Sequence, residues 1–332
     1  MENYEKALAG DLLAGVSRSF YTTLKVLPKS TRGTIGLMYL LARAADTIAD
    51  TEVIETAVRV SFLEMFGDLV QDGGDYTQLQ LNLRETFCPK QEHAKERELL
   101  TRVGECLEWL DAIGSARAEA IRKVLKTIVR GQRLDLERFA GDGVVALETA
   151  GELEEYTYLV AGSVGEFWTE VGFMELGEQY ATKPIGEMLE LGKRYGQALQ
   201  LINILRDLPA DRKGGRCYLP LEEIGAADAE PAVLMAVSEK WLKRCREHFD
   251  CGAAYVGSVK NRRMRLAAAL PLLIGAKTLQ LMEAADWEGL SAGIKVTRKE
   301  VKSVMLRALI ANLTCRGMAR HCRRELADGS IL

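Results

Sequence analysis

Apolar residues recur at helical spacing along almost the whole chain, and no stretch alternates apolar and polar residues as a half-buried strand would. Residues 35–50, IGLMYLLARAADTIAD, set the pattern, and 94–109, 117–136, 186–207, 232–255, 263–284 and 298–325 repeat it. Ala, Leu, Glu, Lys and Arg dominate these stretches, and each is easily placed in a helix. No GxGxxG follows a strand, which excludes a Rossmann domain. Breakers fall between the segments at Gly73-Gly74-Asp75, Pro89, Gly141-Asp142-Gly143, Gly214-Gly215 and Gly289 to Gly293, and none opens a long linker. The expectation is an all-α protein: a single helical domain, residues 1–332, around a central cavity.

Charge and cysteine usage narrow the function. The net charge of −3 gives no basic field for nucleic acid. An anionic ligand therefore needs local arginines or a bound metal. The seven cysteines form no CxxC pair and read as reduced thiols, which points to the cytoplasm. His93, His248 and His321 are scattered without an HExxH pattern and read as ordinary core or surface side chains. The longest apolar run, Leu266 to Ala276, is far shorter than the ~20 residues that span a bilayer. The chain is expected to be soluble or membrane-peripheral, with no transmembrane segment.

Two acidic motifs stand out. Arg43-x-x-Asp46-x-x-x-Asp50 puts two carboxylates at i and i+4 on one helix face, with Arg43 one turn earlier. Like charges so placed repel, and a hard divalent cation is a natural compensation. A solvated acidic face is the plain alternative, but Leu37, Met38, Leu40, Leu41 and Ala45 make this an apolar helix, where unpaired acids are costly. Gln200-x-x-Asn203-x-x-Arg206-Asp207-x-x-x-Asp211 repeats the theme, with Pro209 expected to end or kink the helix and leave Asp211 on a loop. Facing pairs would clamp magnesium around a diphosphate.

Three further segments are weaker alone. Lys213-Gly214-Gly215-Arg216-Cys217-Tyr218-Leu219-Pro220 reads as a glycine-hinged flap or as a surface turn. Ser17-Arg18-Ser19 offers hydroxyls and a guanidinium to phosphate, or simply a helix cap. Tyr156 precedes small residues at 161, 162, 163 and 165 that would admit a neighbouring helix or a ligand.

In this order, with ARAADTIADT, YTYLVAGSVG and ALQLINILRDLPADRKGGRCYLP as the most specific parts, these segments resemble the squalene/phytoene synthase family. The resemblance runs from Ser17 to about Lys299, and the wording is nearer to bacterial squalene synthases than to plant-type phytoene synthases. It implies an isoprenoid synthase fold and Mg2+ held by Asp46, Asp50, Asp207 and Asp211 with Asn203. It implies prenyl diphosphate contacts from Ser17, Arg18, Ser19, Arg43, Arg206, Lys213, Arg216 and Tyr218, and a role for Tyr156 near the cyclopropane-forming step. The implied reaction couples two farnesyl diphosphates head to head through presqualene diphosphate, with NADPH reducing the final cation to squalene. A phytoene, dehydrosqualene or presqualene diphosphate product omits the reduction. Lys295-Val296-Thr297-Arg298-Lys299 resembles the basic stretch associated with NADPH. It reads equally as a helix start capped by Thr297, with Lys299 and Lys302 solvated. A greasy product gives such an enzyme reason to touch a membrane peripherally. The rival from another class is a non-catalytic relative acting in binding or assembly, against which the two intact aspartate pairs argue.

Overall fold

The computed structural model describes residues 6–17, 20–141 and 143–327. Its Cα packing separates two units, Met1–Ala140 and Gly141–Leu332.

The first unit is built on α1 (Lys29–Ala49), followed by α2 (Thr56–Asp72), α3 (Thr77–Thr86), α4 (Ala94–Thr101), α5 (Val103–Ala112) and α6 (Ser115–Arg138). Helix α1 packs against α2, α5 and α6. Ile35, Leu37, Leu40, Leu41, Ala44, Ala45 and Ile48 line its buried side. Each fully buried leucine there contributes roughly 1.5–3 kcal/mol relative to exposure. The periodic run over 94–109 is divided into two helices by Arg102, whose φ of −120° and ψ of 14° leave the helical region.

The second unit contains β1 (Val145–Leu147), α7 (Ala150–Thr157), α8 (Ser163–Leu176), α9 (Ile185–Lys213), β2 (Arg216–Pro220), α10 (Pro231–Ser258), α11 (Arg262–Glu283), α12 (Trp287–Ser291), α13 (Arg298–Ala311) and α14 (Cys315–Ala327). A π-helical turn, Tyr158–Gly162, joins α7 to α8. Helix α9 is central to this unit and packs on α8 and α10. Against α8 the fit depends on glycine. A Cβ added to Gly165 would lie 1.9 Å from the Gly192 carbonyl oxygen, and one added to Gly196 would lie 2.1 Å from that of Ala161. The small residues after Tyr156 thus admit a helix at backbone contact.

The all-α expectation holds with one exception. Strands β1 and β2 form a two-stranded parallel sheet, pairing Val145 with Arg216 and Ala146 with Cys217. Three and five residues are too short for a period of two to show in sequence. The stretch 298–325 is two helices, divided at Asn312, which caps the first of them and accepts from Arg265.

Helix α11 is, among the described residues, the one helix long and apolar enough by length and composition to cross a membrane, and 67% of its apolar window is buried inside the fold. Its N-cap Asn261 accepts from the backbone N–H groups of Arg263 and Met264, each at 3.1 Å. Arg265, only 1% exposed, donates to Asn312 Oδ1 at 2.8 Å, the Asn312 carbonyl at 2.9 Å and the Val259 carbonyl at 2.8 Å. A buried guanidinium demands such partners, and here they tie α11 to the turn between α13 and α14.

Candidate active site

In the first unit, Tyr39, Arg43, Asp46 and Asp50 follow one another at intervals of four, three and four residues along α1, on the side away from its leucines. Arg43 Nη1 donates to Asp46 Oδ2 at 2.6 Å, and Arg43 Nη2 to the Tyr39 hydroxyl at 3.3 Å. Burial pushes the Asp46 carboxyl above the usual carboxylate range, and the charge of Glu96 pushes the same way. Arg43 and a hydrogen bond from Gln132 oppose them. Asp50 is exposed at the C-terminal end of α1, its N–H bonded to the Asp46 carbonyl at 2.8 Å.

Glu96 on α4 and Gln132 on α6 are therefore neighbours of Asp46 that the motif reading missed. Gln132 left a trace in the sequence: an amide between Val129 and Leu136 on an otherwise apolar helix side, buried in the structure with its Oε1 lacking a hydrogen-bond partner among the described residues. Ser17 is buried, and its hydroxyl donates to the Leu13 carbonyl. Arg18 and Ser19 lie outside the described residues. Phe20, next in the chain, stacks on Tyr39 with ring centroids 5.4 Å apart.

In the second unit, α9 carries Gln200, Asn203, Arg206, Asp207 and Asp211 along its last turns. Arg206 grips its own neighbour, Nε to Asp207 Oδ1 at 2.8 Å and Nη2 to Oδ2 at 2.6 Å. This bidentate pair holds the Arg206 pKa above its ordinary value. The expected break at Pro209 does not occur. The helix runs on to Lys213, Gly214 N–H reaches the Ala210 carbonyl at 3.1 Å, and Asp211 is helical rather than on a loop. Proline removes one N–H, yet Pro209 is buried inside the helix and the turn after it stays helical.

The flap reading of Lys213 to Pro220 is also corrected in form. Lys213 ends α9, Gly215 turns the chain at φ +84°, and Arg216 begins β2. The Val145 N–H bonds the Gly215 carbonyl at 2.9 Å, and Cys217, Tyr218 and Leu219 are buried. Sheet pairing therefore orders, as a strand, residues that the sequence left as either a glycine-hinged flap or a surface turn. Tyr218 stacks on Tyr156 of α7, centroids 5.1 Å apart and planes 22° from parallel. This brings two residues chosen separately from the sequence into one aromatic wall. Gln197 of α9 steadies the end of α7 by donating to the Glu154 carbonyl at 3.2 Å.

Lys295, Arg298 and Lys299 are exposed around the start of α13. Thr297 caps that helix in a reciprocal box: its Oγ1 accepts from Glu300 N–H at 3.2 Å, and its own N–H donates to Glu300 Oε2 at 2.9 Å.

Among the described residues, no three His, Cys, Asp or Glu side chains gather as a ready metal cage. The donors on offer are carboxylate pairs on successive helical turns and the amide of Asn203. These suit magnesium, a hard cation that keeps waters and substrate phosphate oxygens beside one or two carboxylates.

Residues 13–300 match squalene/phytoene synthase. The chain belongs to the squalene/phytoene synthase family, a family of prenyltransferase-type enzymes. A probable squalene synthase from Neurospora crassa is 26% identical over 93% of this chain, which spans 63% of that relative's length. The presqualene diphosphate synthase of Rhodopseudomonas palustris is 26% identical over 88% of this chain and 93% of its own. The solved structure of TcSQS with the ligand E5700 shares the fold, with a TM-score of 0.76, 20% identity, and coverage of 98% of this chain and 92% of that one.

Proposed function

We propose that this protein joins two farnesyl diphosphates head to head to presqualene diphosphate and carries that intermediate on to squalene with NADPH. The observation that carries the reading is that both acidic motifs are intact, carried on or at the end of a helix and accompanied by arginine, within a family match covering residues 13–300. Asp46 and Asp50, and Asp207 and Asp211 with Asn203, are the residues proposed to hold magnesium. When bound, that ion would neutralise charge on a departing diphosphate. The chain's own groups do the rest. Arg43 and Arg206 hold Asp46 and Asp207 in place and present further N–H groups to diphosphate oxygens. Lys213 and Arg216, which flank the turn into β2, are the further cations proposed to meet diphosphate. The stacked faces of Tyr156 and Tyr218 offer π density to a cationic intermediate and exclude water that would hydrolyse it.

The match to the Rhodopseudomonas presqualene diphosphate synthase over most of both chains supports a second reading, in which the reaction stops at the first product. Exposed Lys295, Arg298 and Lys299 are the residues proposed to meet NADPH in the first reading. The deciding experiment incubates purified protein with farnesyl diphosphate and magnesium, with and without NADPH. Squalene formed only with NADPH supports the full sequence. Presqualene diphosphate in both tubes supports the second reading. No consumption of farnesyl or geranylgeranyl diphosphate overturns both.

A further inference from the structure

Helix α13 leaves an apolar stripe uncovered. Leu306, Leu309 and Ile310 are 61%, 54% and 64% exposed, and Leu313, just past the helix end, is 66% exposed. Their spacing of three, one and three residues puts them on one face. The opposite side holds Val304 and Ala308, both buried where α13 packs on α11. Single exposed leucines need no explanation, but four in register form a patch that water disfavours.

The charge around the stripe is as one-sided as the stripe itself. Residues 295–327 contain nine Lys and Arg against two Glu, although the whole chain has a net charge of −3. Neither glutamate is a free counter-charge. Glu300 is held in the Thr297 cap, and Glu325 pairs with Arg307 at 3.3 Å and lies 3.7 Å from His321. Lys302, one turn before Leu306 on the same face, is exposed, as are Arg316, Arg320, Arg323 and Arg324 on the neighbouring α14.

We propose that the exposed face of α13 docks this protein on an anionic lipid surface, its leucines entering the headgroup boundary and its cations meeting lipid phosphates. Amphipathic helices bind membranes through this combination of apolar area and basic flanks. A second copy of the chain is the poorer occupant, because an isologous contact through this face would bring two strongly positive segments together. Lipid phosphates neutralise that charge. This inference concerns the surface alone and does not depend on which product the enzyme makes.

Full-length protein should float with vesicles of phosphatidylcholine and phosphatidylserine and remain behind with phosphatidylcholine alone. Raising salt should release it. The double variant Leu306→Gln/Ile310→Gln should lower partitioning at least tenfold with an unchanged circular dichroism spectrum. Lys302→Gln should lower it roughly fivefold, the factor expected for one cation near an anionic surface. Failure to bind anionic vesicles overturns the proposal, as does equal binding by the double variant. A dimer of the parent in sedimentation that the double variant dissolves assigns the face to a second copy instead and overturns it too.

Discussion

Gly165→Ala tests whether the backbone contact between α8 and α9 shapes the second unit. Helix propensity alone makes the substitution favourable by up to about 1 kcal/mol. Packing makes it unfavourable. The new Cβ would lie 1.9 Å from the Gly192 oxygen and 2.5 Å from its carbonyl carbon, where ordinary contact is roughly 3.5 Å. Gly192 is buried backbone on the helix that bears Asn203 and Asp207, so no flexible side chain can yield. The helices must part by more than an ångström, and overpacking of this kind costs about 1–3 kcal/mol. The expected balance is a loss of ~1 kcal/mol in spite of the propensity gain. Urea unfolding followed by far-UV circular dichroism reads this as a lower midpoint at unchanged slope. Gly186→Ala on α9 is the control, since nothing lies within 4 Å of its added Cβ, and it should leave the midpoint unchanged or raise it. If Gly165→Ala behaves like the control, the close approach is not a constraint and the reasoning fails.

Asp46→Ala and Asp207→Ala should each lower turnover by at least about a hundredfold at unchanged helical content, because loss of a metal ligand removes several kcal/mol of transition-state stabilisation. Turnover within about tenfold of the parent in either variant refutes their proposed role. Stripping with EDTA should abolish product formation and added magnesium restore it, and full activity in chelator contradicts the metal assignment. His248 gives a pH test of the fold: burial first, then Arg244 and Arg194, depress its pKa from 6.5 to about 4. The folded pKa is below the unfolded one, so the unfolded chain takes up the proton first as pH falls. Stability is whole above about pH 6.5 and is lost towards pH 4, by up to ~3 kcal/mol from this group. His248→Gln should flatten the decline of the urea midpoint across that window, and an unchanged decline would show that other groups set it.

Helical periodicity and residue chemistry at i, i+3 and i+4 were enough to place the all-α class, the helix bearing Arg43, Asp46 and Asp50, and the helix bearing Asn203, Arg206 and Asp207. These patterns are local, because 3.6 residues per turn decide which side chains share a face. The neighbours of Asp46 are different. Glu96 and Gln132 reach it from α4 and α6, and no spacing along the chain encodes that meeting. The stacking of Tyr156 on Tyr218 likewise depends on the pairing of β2 with β1, strands too short to announce themselves. Pro209 misled because the cost of an interior proline, a lost N–H and a ring clash, is a local tendency that the fold overrides here, with Pro209 buried in a continuous helix. Helices α11 and α13 make the same point: both carry leucines at helical spacing, yet one is buried around Arg265 and the other shows its leucines to water. Composition determines which residues prefer to leave water. Only tertiary packing determines which of them find a place to do so.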